Sequence, residues 1–222
     1  MALMGHRDNP SAEPVPAEIL DAIRDIPVSI LSDVTNRLHG TRRLTPQHRA
    51  GRLVGTAVTV KTRAGDNQAL HRVYAILRPG DVLVVDGGGD LTQALVGEIM
   101  MSRARAMGVA GFVIDGAIRD VDAFRAADFP CYALGVTHRG PYKSGPGEIN
   151  VPVAIDGMVV APGDVIVGDA DGVFAFDRSD AQELLTLARA QEAREAQALE
   201  AIAQGRVDTF YMGAAPASAK PA

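Results

Sequence analysis

The chain concentrates its chemistry at Gly111-Phe112-Val113-Ile114-Asp115-Gly116-Ala117-Ile118-Arg119-Asp120, a short apolar run that passes through a glycine turn into an adjacent cation and carboxylate. An α/β protein presents charged groups in this way, at the carboxyl end of a buried strand. An arginine beside an aspartate there can divide the handling of a keto acid. The carboxylate ligates a metal ion, and the guanidinium meets the charge that develops on the keto oxygen. Spacing alone fits a surface ion pair in a turn equally well.

A second stretch feeds the same cleft. Val82-Leu83-Val84-Val85-Asp86 reads as another buried strand, followed by a loop of three glycines, Gly87 to Gly89, and then by Leu91 to Met100. Gly97 sits in a run that otherwise reads helical, where it costs ~1 kcal/mol relative to alanine; a helix is therefore expected to begin there and run to Met107 before Gly108. The amides of Glu98, Ile99 and Met100 would then be free at the positive end of a helix dipole, a site for a carboxylate or phosphate. Close packing against a neighbouring element is the other reading of Gly97. The three glycines lack the Gly-x-Gly-x-x-Gly spacing of a dinucleotide-binding turn.

Gly97-Glu98, and Arg119-Asp120 after Val113-Ile114-Asp115-Gly116, resemble the divalent-metal-dependent class II pyruvate aldolases. That family cleaves 4-hydroxy-4-methyl-2-oxoglutarate and 4-carboxy-4-hydroxy-2-oxoadipate and shares the RraA-like fold with the regulator of ribonuclease E activity. The resemblance runs from about Ser29 to Asp177 and takes in Arg139-Gly140-Pro141-Tyr142-Lys143 and Val160-Ala161-Pro162-Gly163-Asp164. It implies an α/β fold with one swivelling β/β/α domain over residues 17–211, strands covered by helices, and a C-terminal helix.

The resemblance also implies roles. Asp120 would be the one protein ligand of a Mg²⁺, Mn²⁺ or other divalent ion, and Arg119 would stabilise the keto oxygen as it becomes an enolate. Gly97 and the amides near Ile99 and Met100 would hold the substrate carboxylate. Glu98 would position a water that takes the proton from the 4-hydroxyl. Cleavage would release pyruvate as its enolate, and oxaloacetate decarboxylation passes through the same species. The family motif ends in Glu or Asp after two spacer residues; this chain has Ala123 there, with Asp122 one residue early. Trimers or hexamers are the family norm, with a carboxylate from a neighbouring subunit completing the site. Glu183, Glu192, Glu195 and Glu200 are the possible donors. The competing expectation is a non-catalytic RraA-like regulator whose acidic surface masks a ribonuclease E-type partner.

The elements that must position these residues read as alternating strands and helices. Helices are expected near Ala17–Asp25, Ser29–Leu38, Asn67–Leu77 and Asp120–Ala127, and strands near Leu53–Lys61, Val82–Val85 and Gly111–Ile114. Cys131 falls in another strand. Short strands follow at Val151–Ile155, Val165–Val167 and Val173–Phe176, the last two joined by a hairpin turn at Gly168–Gly172. Ser179 to Gln204 reads as a helix with Asp180 and Glu183 spaced as a capping box and Gly205 as its stop. Residues 1–16 and 212–222 are polar or rich in proline and small residues, and are expected to be mobile.

Composition excludes other classes. At 222 residues with 47% hydrophobic content the chain can bury one sizeable core. Aromatic residues are few, and arginines do not cluster with them as on a nucleic-acid platform, so no nucleic-acid partner is expected. A single cysteine, no signal-like apolar run and no membrane span point to a cytoplasmic protein. No two of the five histidines have a zinc-site spacing, and no Gly-x-Ser-x-Gly elbow occurs. His138 to Lys143, basic and turn-rich, is a secondary candidate for substrate contact.

Overall fold

The computed structural model describes residues 3–206. In chain order the elements are α1 (Ala17–Ile23), α2 (Val28–Val34), β1 (Thr45–Pro46), β2 (Leu53–Thr62), α3 (Gln68–Val73), β3 (Asp81–Val96), α4 (Glu98–Ala106), β4 (Gly111–Ile118), α5 (Val121–Ala127) and β5 (Cys131–Val136). Then come β6 (Gly147–Ile149), β7 (Val153–Ile155), β8 (Met158–Val160), β9 (Val165–Asp169), β10 (Gly172–Phe176) and α6 (Ala181–Ala203).

The main sheet has the order β1-β5-β4-β3-β2-β9-β10, with β6 paired to β2. Strands β2 to β5 are parallel, while β9 runs antiparallel to β2. Parallel strands covered on both faces must be apolar throughout, and every residue of β4 is buried. On one face Val60, Val85, Phe112 and Ile114 pack with Leu70 of α3, Met101 of α4 and Phe124 of α5. The other face sets Val82, Val84, Val113 and Tyr132 against the β7–β8 hairpin. A third cluster joins Phe174 and Phe176 of β10 to Leu31 of α2 and to Leu184 and Ala188 of α6. Burying each of these large side chains contributes about 1.5–3 kcal/mol. This is an α/β arrangement of strands covered by helices, closed by a C-terminal helix. No helix among the described residues is long and apolar enough to cross a membrane.

Several expectations need correction. The three glycines do not form a loop that ends a short strand; they lie inside β3, which runs on to Val96. Gly88 (φ +68°) and Gly89 (φ +70°) take the left-handed conformation that folds the strand back locally. Between Asp86 and Val96 β3 advances ten residues, while β4 advances three, from Asp115 to Ile118. The surplus residues bulge outward, and the strand returns to register with Val96 opposite Ile118. The end of β3 and the end of β4 thus meet side by side. Strands β1, β6 and β8 were not anticipated, being two or three residues long.

The capping box does not form. Asp180 has helical dihedrals (φ −85°, ψ −6°) and its side chain accepts no capping bond. Asp177 caps the preceding single turn instead, accepting the Ser179 amide over 2.7 Å. Residues 3–16, expected to be mobile, are fastened along the body: Asp8 bridges to Ile149, Arg7 pairs with Glu148, and the Val15 amide donates to Thr56. Asn9 and Asn150 each donate a side-chain amide to the other's carbonyl. Polarity misled here, because the segment is held by hydrogen bonds. The expected tail 212–222, and the domain limit at 211, lie outside the described residues.

Candidate active site

Helix α4 begins where the glycine position predicts. Gly97 is its N-cap in extended backbone (φ −154°, ψ −167°), and Glu98 opens the first turn. Asp120 is the N-cap of α5 in a left-handed conformation (φ +57°) that few side chains tolerate. The Arg119 amide donates to Val96 O over 3.0 Å, so the two strand ends are stitched together just before both helices start.

The Glu98 amide is not free, contrary to expectation. It donates to Asp120 Oδ2 over 3.0 Å. The amides of Ile99 and Met100 have no protein acceptor among the described residues, and they remain the open donors of the helix start. Arg119 Nε lies 3.6 Å from the same Asp120 oxygen, and both side chains are exposed by about two fifths, 41% and 44%. Gly97 is where it is for lack of space: a Cβ there would come within 2.5 Å of Asp120 Oδ2 and 2.9 Å of Arg119 Cγ.

Arg119 separates two hollows. One, of about 120 Å³, is lined by Gly97, Ile99, Met100, His71 and Lys143 together with Asn67. The other, of about 470 Å³, is lined by Glu98, Asp120, Asp122, Ala123, Val136 and His138. The first is basic and the second acidic, with the guanidinium between them. Burial and the nearby Lys143 and Arg103 cations lower the His71 pKa, which favours the neutral ring. Ala123 falls one turn into α5 and packs against the core, whereas the Asp122 side chain is 97% exposed beside Arg125.

The loop from His138 to Lys143 does approach the site. The Ala94 amide donates to Arg139 O over 2.8 Å, and a Cβ on Gly140 would sit 3.2 Å from Arg119 Nη1. Its anchor, missed in the sequence, is Asp66, whose fully buried carboxylate accepts the amides of Gln68, Ser144 and Gly145 and pairs with Arg63. Asn67 and Tyr74 were missed as well. Asn67 Nδ2 donates to Leu95 O over 2.9 Å and the Tyr74 hydroxyl to Met100 O over 2.7 Å, so α3 braces both the end of β3 and the start of α4. The Asp66-Asn67 pair before an apolar helical run was the available signal.

Among the described residues no three His, Cys, Asp or Glu side chains converge to hold a metal ion unaided. Asp120 lines the acidic hollow, its Oδ2 engaged by the Glu98 amide and its Oδ1 without a hydrogen-bond partner among the described residues. A single carboxylate with open space suits a hard divalent ion that keeps water and substrate oxygens as its remaining ligands. Glu192, Glu195 and Glu200 are engaged within α6 by Arg189, Gln191 and Gln204, and Glu183 lines a separate hollow of about 630 Å³ beside α6.

Comparison with known proteins follows this geometry. Residues 17–175 match the RraA-like family described as Aldolase/RraA. The chain belongs to the RraA-like family. A relative from Halalkalibacterium halodurans is 38% identical over 177 residues, covering 79% of this chain and 84% of that protein, and carries the provisional name 4-hydroxy-4-methyl-2-oxoglutarate aldolase. An uncharacterised protein of Pseudomonas syringae pv. tomato superposes with a TM-score of 0.80 at 30% identity, over 88% of this chain and 92% of its own. Streptomyces coelicolor RraAS2, described as an unusual member of the RNase ES inhibitor RraA family, gives a TM-score of 0.77 at 27% identity, over 84% and 98%. Within this RraA-like chain, the matched region contains Gly97, Glu98, Arg119 and Asp120.

Proposed function

We propose that this RraA-like protein is a divalent-metal-dependent carbon–carbon lyase. Its substrates would be 4-hydroxy-2-oxo acids of the 4-hydroxy-4-methyl-2-oxoglutarate type, which yield pyruvate, and oxaloacetate, which it would decarboxylate. The observation that carries this reading is the pairing of Arg119 and Asp120 with two unengaged amides, Ile99 and Met100, at the start of α4. The aldolase name of the Halalkalibacterium relative points the same way.

Asp120 would hold the ion, which when bound supplies Lewis-acid polarisation of the 2-keto group. The Ile99 and Met100 amides bind the substrate carboxylate. Arg119, between the two hollows, donates to the keto oxygen and stabilises the negative charge that it gains as the C3–C4 bond breaks. Glu98 faces the larger hollow, where it accepts the 4-hydroxyl proton through a water. The electron pair of the broken bond passes into the pyruvate enolate, which is then protonated at C3. The same enolate forms when oxaloacetate loses carbon dioxide. The reading has the protein work in the cytoplasm as a homotrimer or a hexamer of two trimers.

The test incubates the purified protein with Mg²⁺ and, separately, oxaloacetate and 4-hydroxy-4-methyl-2-oxoglutarate. Pyruvate is followed through a coupled dehydrogenase with an EDTA control. Metal-dependent pyruvate from either substrate is the expected result. None above background from both would overturn the lyase and favour a binding role like that named for the Streptomyces relative.

A further inference from the structure

A row of charged side chains crosses the sheet at the carboxyl ends of its parallel strands, on the face opposite α3, α4 and α5. Arg7 pairs with Glu148, Glu148 stands opposite Lys61 in the β6–β2 register, and Lys61 Nζ lies 2.7 Å from Asp86 Oδ2. Asp86 is the register partner of Asp115 on β4. Over Asp115 sits the β7–β8 turn, where the Asp156 amide lies against the Asp115 carboxyl group. Asp156 is held from the other side by Arg43 Nε over 2.8 Å and by the amides of Arg42 and Arg43.

Signs alternate along this row except in its middle. Arg7, Lys61 and Arg43 balance Glu148, Asp86 and Asp156, which leaves Asp115 as the unmatched acid between two anions. It is 7% exposed, and its Oδ1 is buried with no hydrogen-bond partner. The groups facing it are Asp86 and the Gly89 amide from β3, Asp156 and its amide from the hairpin, and the Arg43 cation behind Asp156. A bare buried carboxylate oxygen next to two anions costs far more than a neutral carboxylic acid in the same place.

We propose that Asp115 is held as a neutral carboxylic acid, a proton latch that fastens the β7–β8 turn to the ends of β3 and β4 and loosens as the pH rises. The proton makes the row neutral and turns the unpartnered oxygen into a hydroxyl. Its loss sets Asp86, Asp115 and Asp156 side by side as three anions, so the turn that carries Asp156 moves away first. Burial, then Asp86, raise the Asp115 pKa and outweigh the amides of Asp156 and Gly89, which favour the carboxylate. A group whose folded pKa lies above its unfolded value gives its full stabilisation below the unfolded value and loses it as pH rises through the folded one. The latch is independent of the lyase reading and is tested without substrate.

Carboxyl-carbon NMR titration of the full chain reads it directly, with the Asp115→Asn variant assigning the resonance. Asp115 is expected to titrate above the ordinary aspartate value of about 3.9. Protection of the Met158 and Val160 amides, taken relative to the intrinsic exchange rate at each pH, is expected to fall across the same pH range in the native chain and to stay constant in D115N, whose amide mimics the protonated acid. Melting temperature should fall less for D115N than for the native chain between about pH 4 and about pH 7. Titration of Asp115 at or below the ordinary value overturns the proposal, as does hairpin exchange with the same pH profile in both proteins. The titration decides the matter even if the variant folds poorly.

Discussion

The Glu98 amide donates to Asp120 Oδ2 over 3.0 Å, and this one bond ties the first turn of α4 to the residue that opens α5. One carboxylate oxygen thereby joins the two helix starts, and the other has no hydrogen-bond partner among the described residues. The backbone at Asp120 is left-handed, which asparagine tolerates better than alanine.

Asp120→Asn should therefore keep the backbone and the bond from Glu98 while removing the negative charge. Pyruvate formation is expected to fall to background and not to recover at high Mg²⁺, with melting temperature nearly unchanged. Asp120→Ala should lose activity equally and lose about 1–2 kcal/mol of stability from the left-handed site as well. Coupled assays and thermal melts on the two variants check this; full activity in either would remove Asp120 from the mechanism.

In the proposed lyase Arg119 would work on charge that grows during the reaction, so its loss should appear in kcat more than in KM. Arg119→Ala is expected to lower kcat about 10²–10³-fold, the cost of removing one oxyanion donor. Arg119→Lys should recover little, since lysine cannot reproduce the guanidinium's reach between the two hollows. A rise in KM with unchanged kcat would make Arg119 a binding group only. Steady-state kinetics distinguish the cases.

Gly97→Ala tests the packing. The added Cβ would lie 2.5 Å from Asp120 Oδ2 and 2.9 Å from Arg119 Cγ, so both side chains must shift. The backbone at Gly97 is extended and strains no alanine. The variant should lose about 1–3 kcal/mol to overpacking and lose activity well beyond what that stability change explains. Thermal melts alongside kinetics separate the two effects.

Much of this was legible in the chain. Apolar runs ending in Asp86 and in Asp115-Gly116 located two parallel strands, and Gly97 located the start of α4, because a buried strand and a helix N-terminus leave local signatures. What stayed hidden depends on partners distant in sequence. The bulge that lets ten residues of β3 match three of β4 follows from pairing, not from composition. The fastening of residues 3–16 depends on Glu148, Ile149 and Asn150, about 140 positions away. The anchoring role of Asp66 likewise depends on the amides of Ser144 and Gly145, 78 and 79 residues on.

That carboxylate supports the last prediction. Burial alone would raise the Asp66 pKa, but the amides of Gln68, Ser144 and Gly145 and the Arg63 cation outweigh it and hold the pKa below the ordinary value. A depressed pKa contributes stability that is present above the unfolded value of about 3.9 and is lost as pH falls through the folded one. Asp66→Asn removes the charge that three amides and Arg63 share, so it should cost about 1–3 kcal/mol at neutral pH. The gap between variant and native chain should narrow on acidification. Because Asp66 anchors the turn carrying Lys143 beside Arg119, the variant should also raise KM more than it lowers kcat. Urea unfolding at several pH values, with kinetics at neutral pH, checks both. A stability gap that widens toward acid would mean that Asp66 is not ionised in the native state.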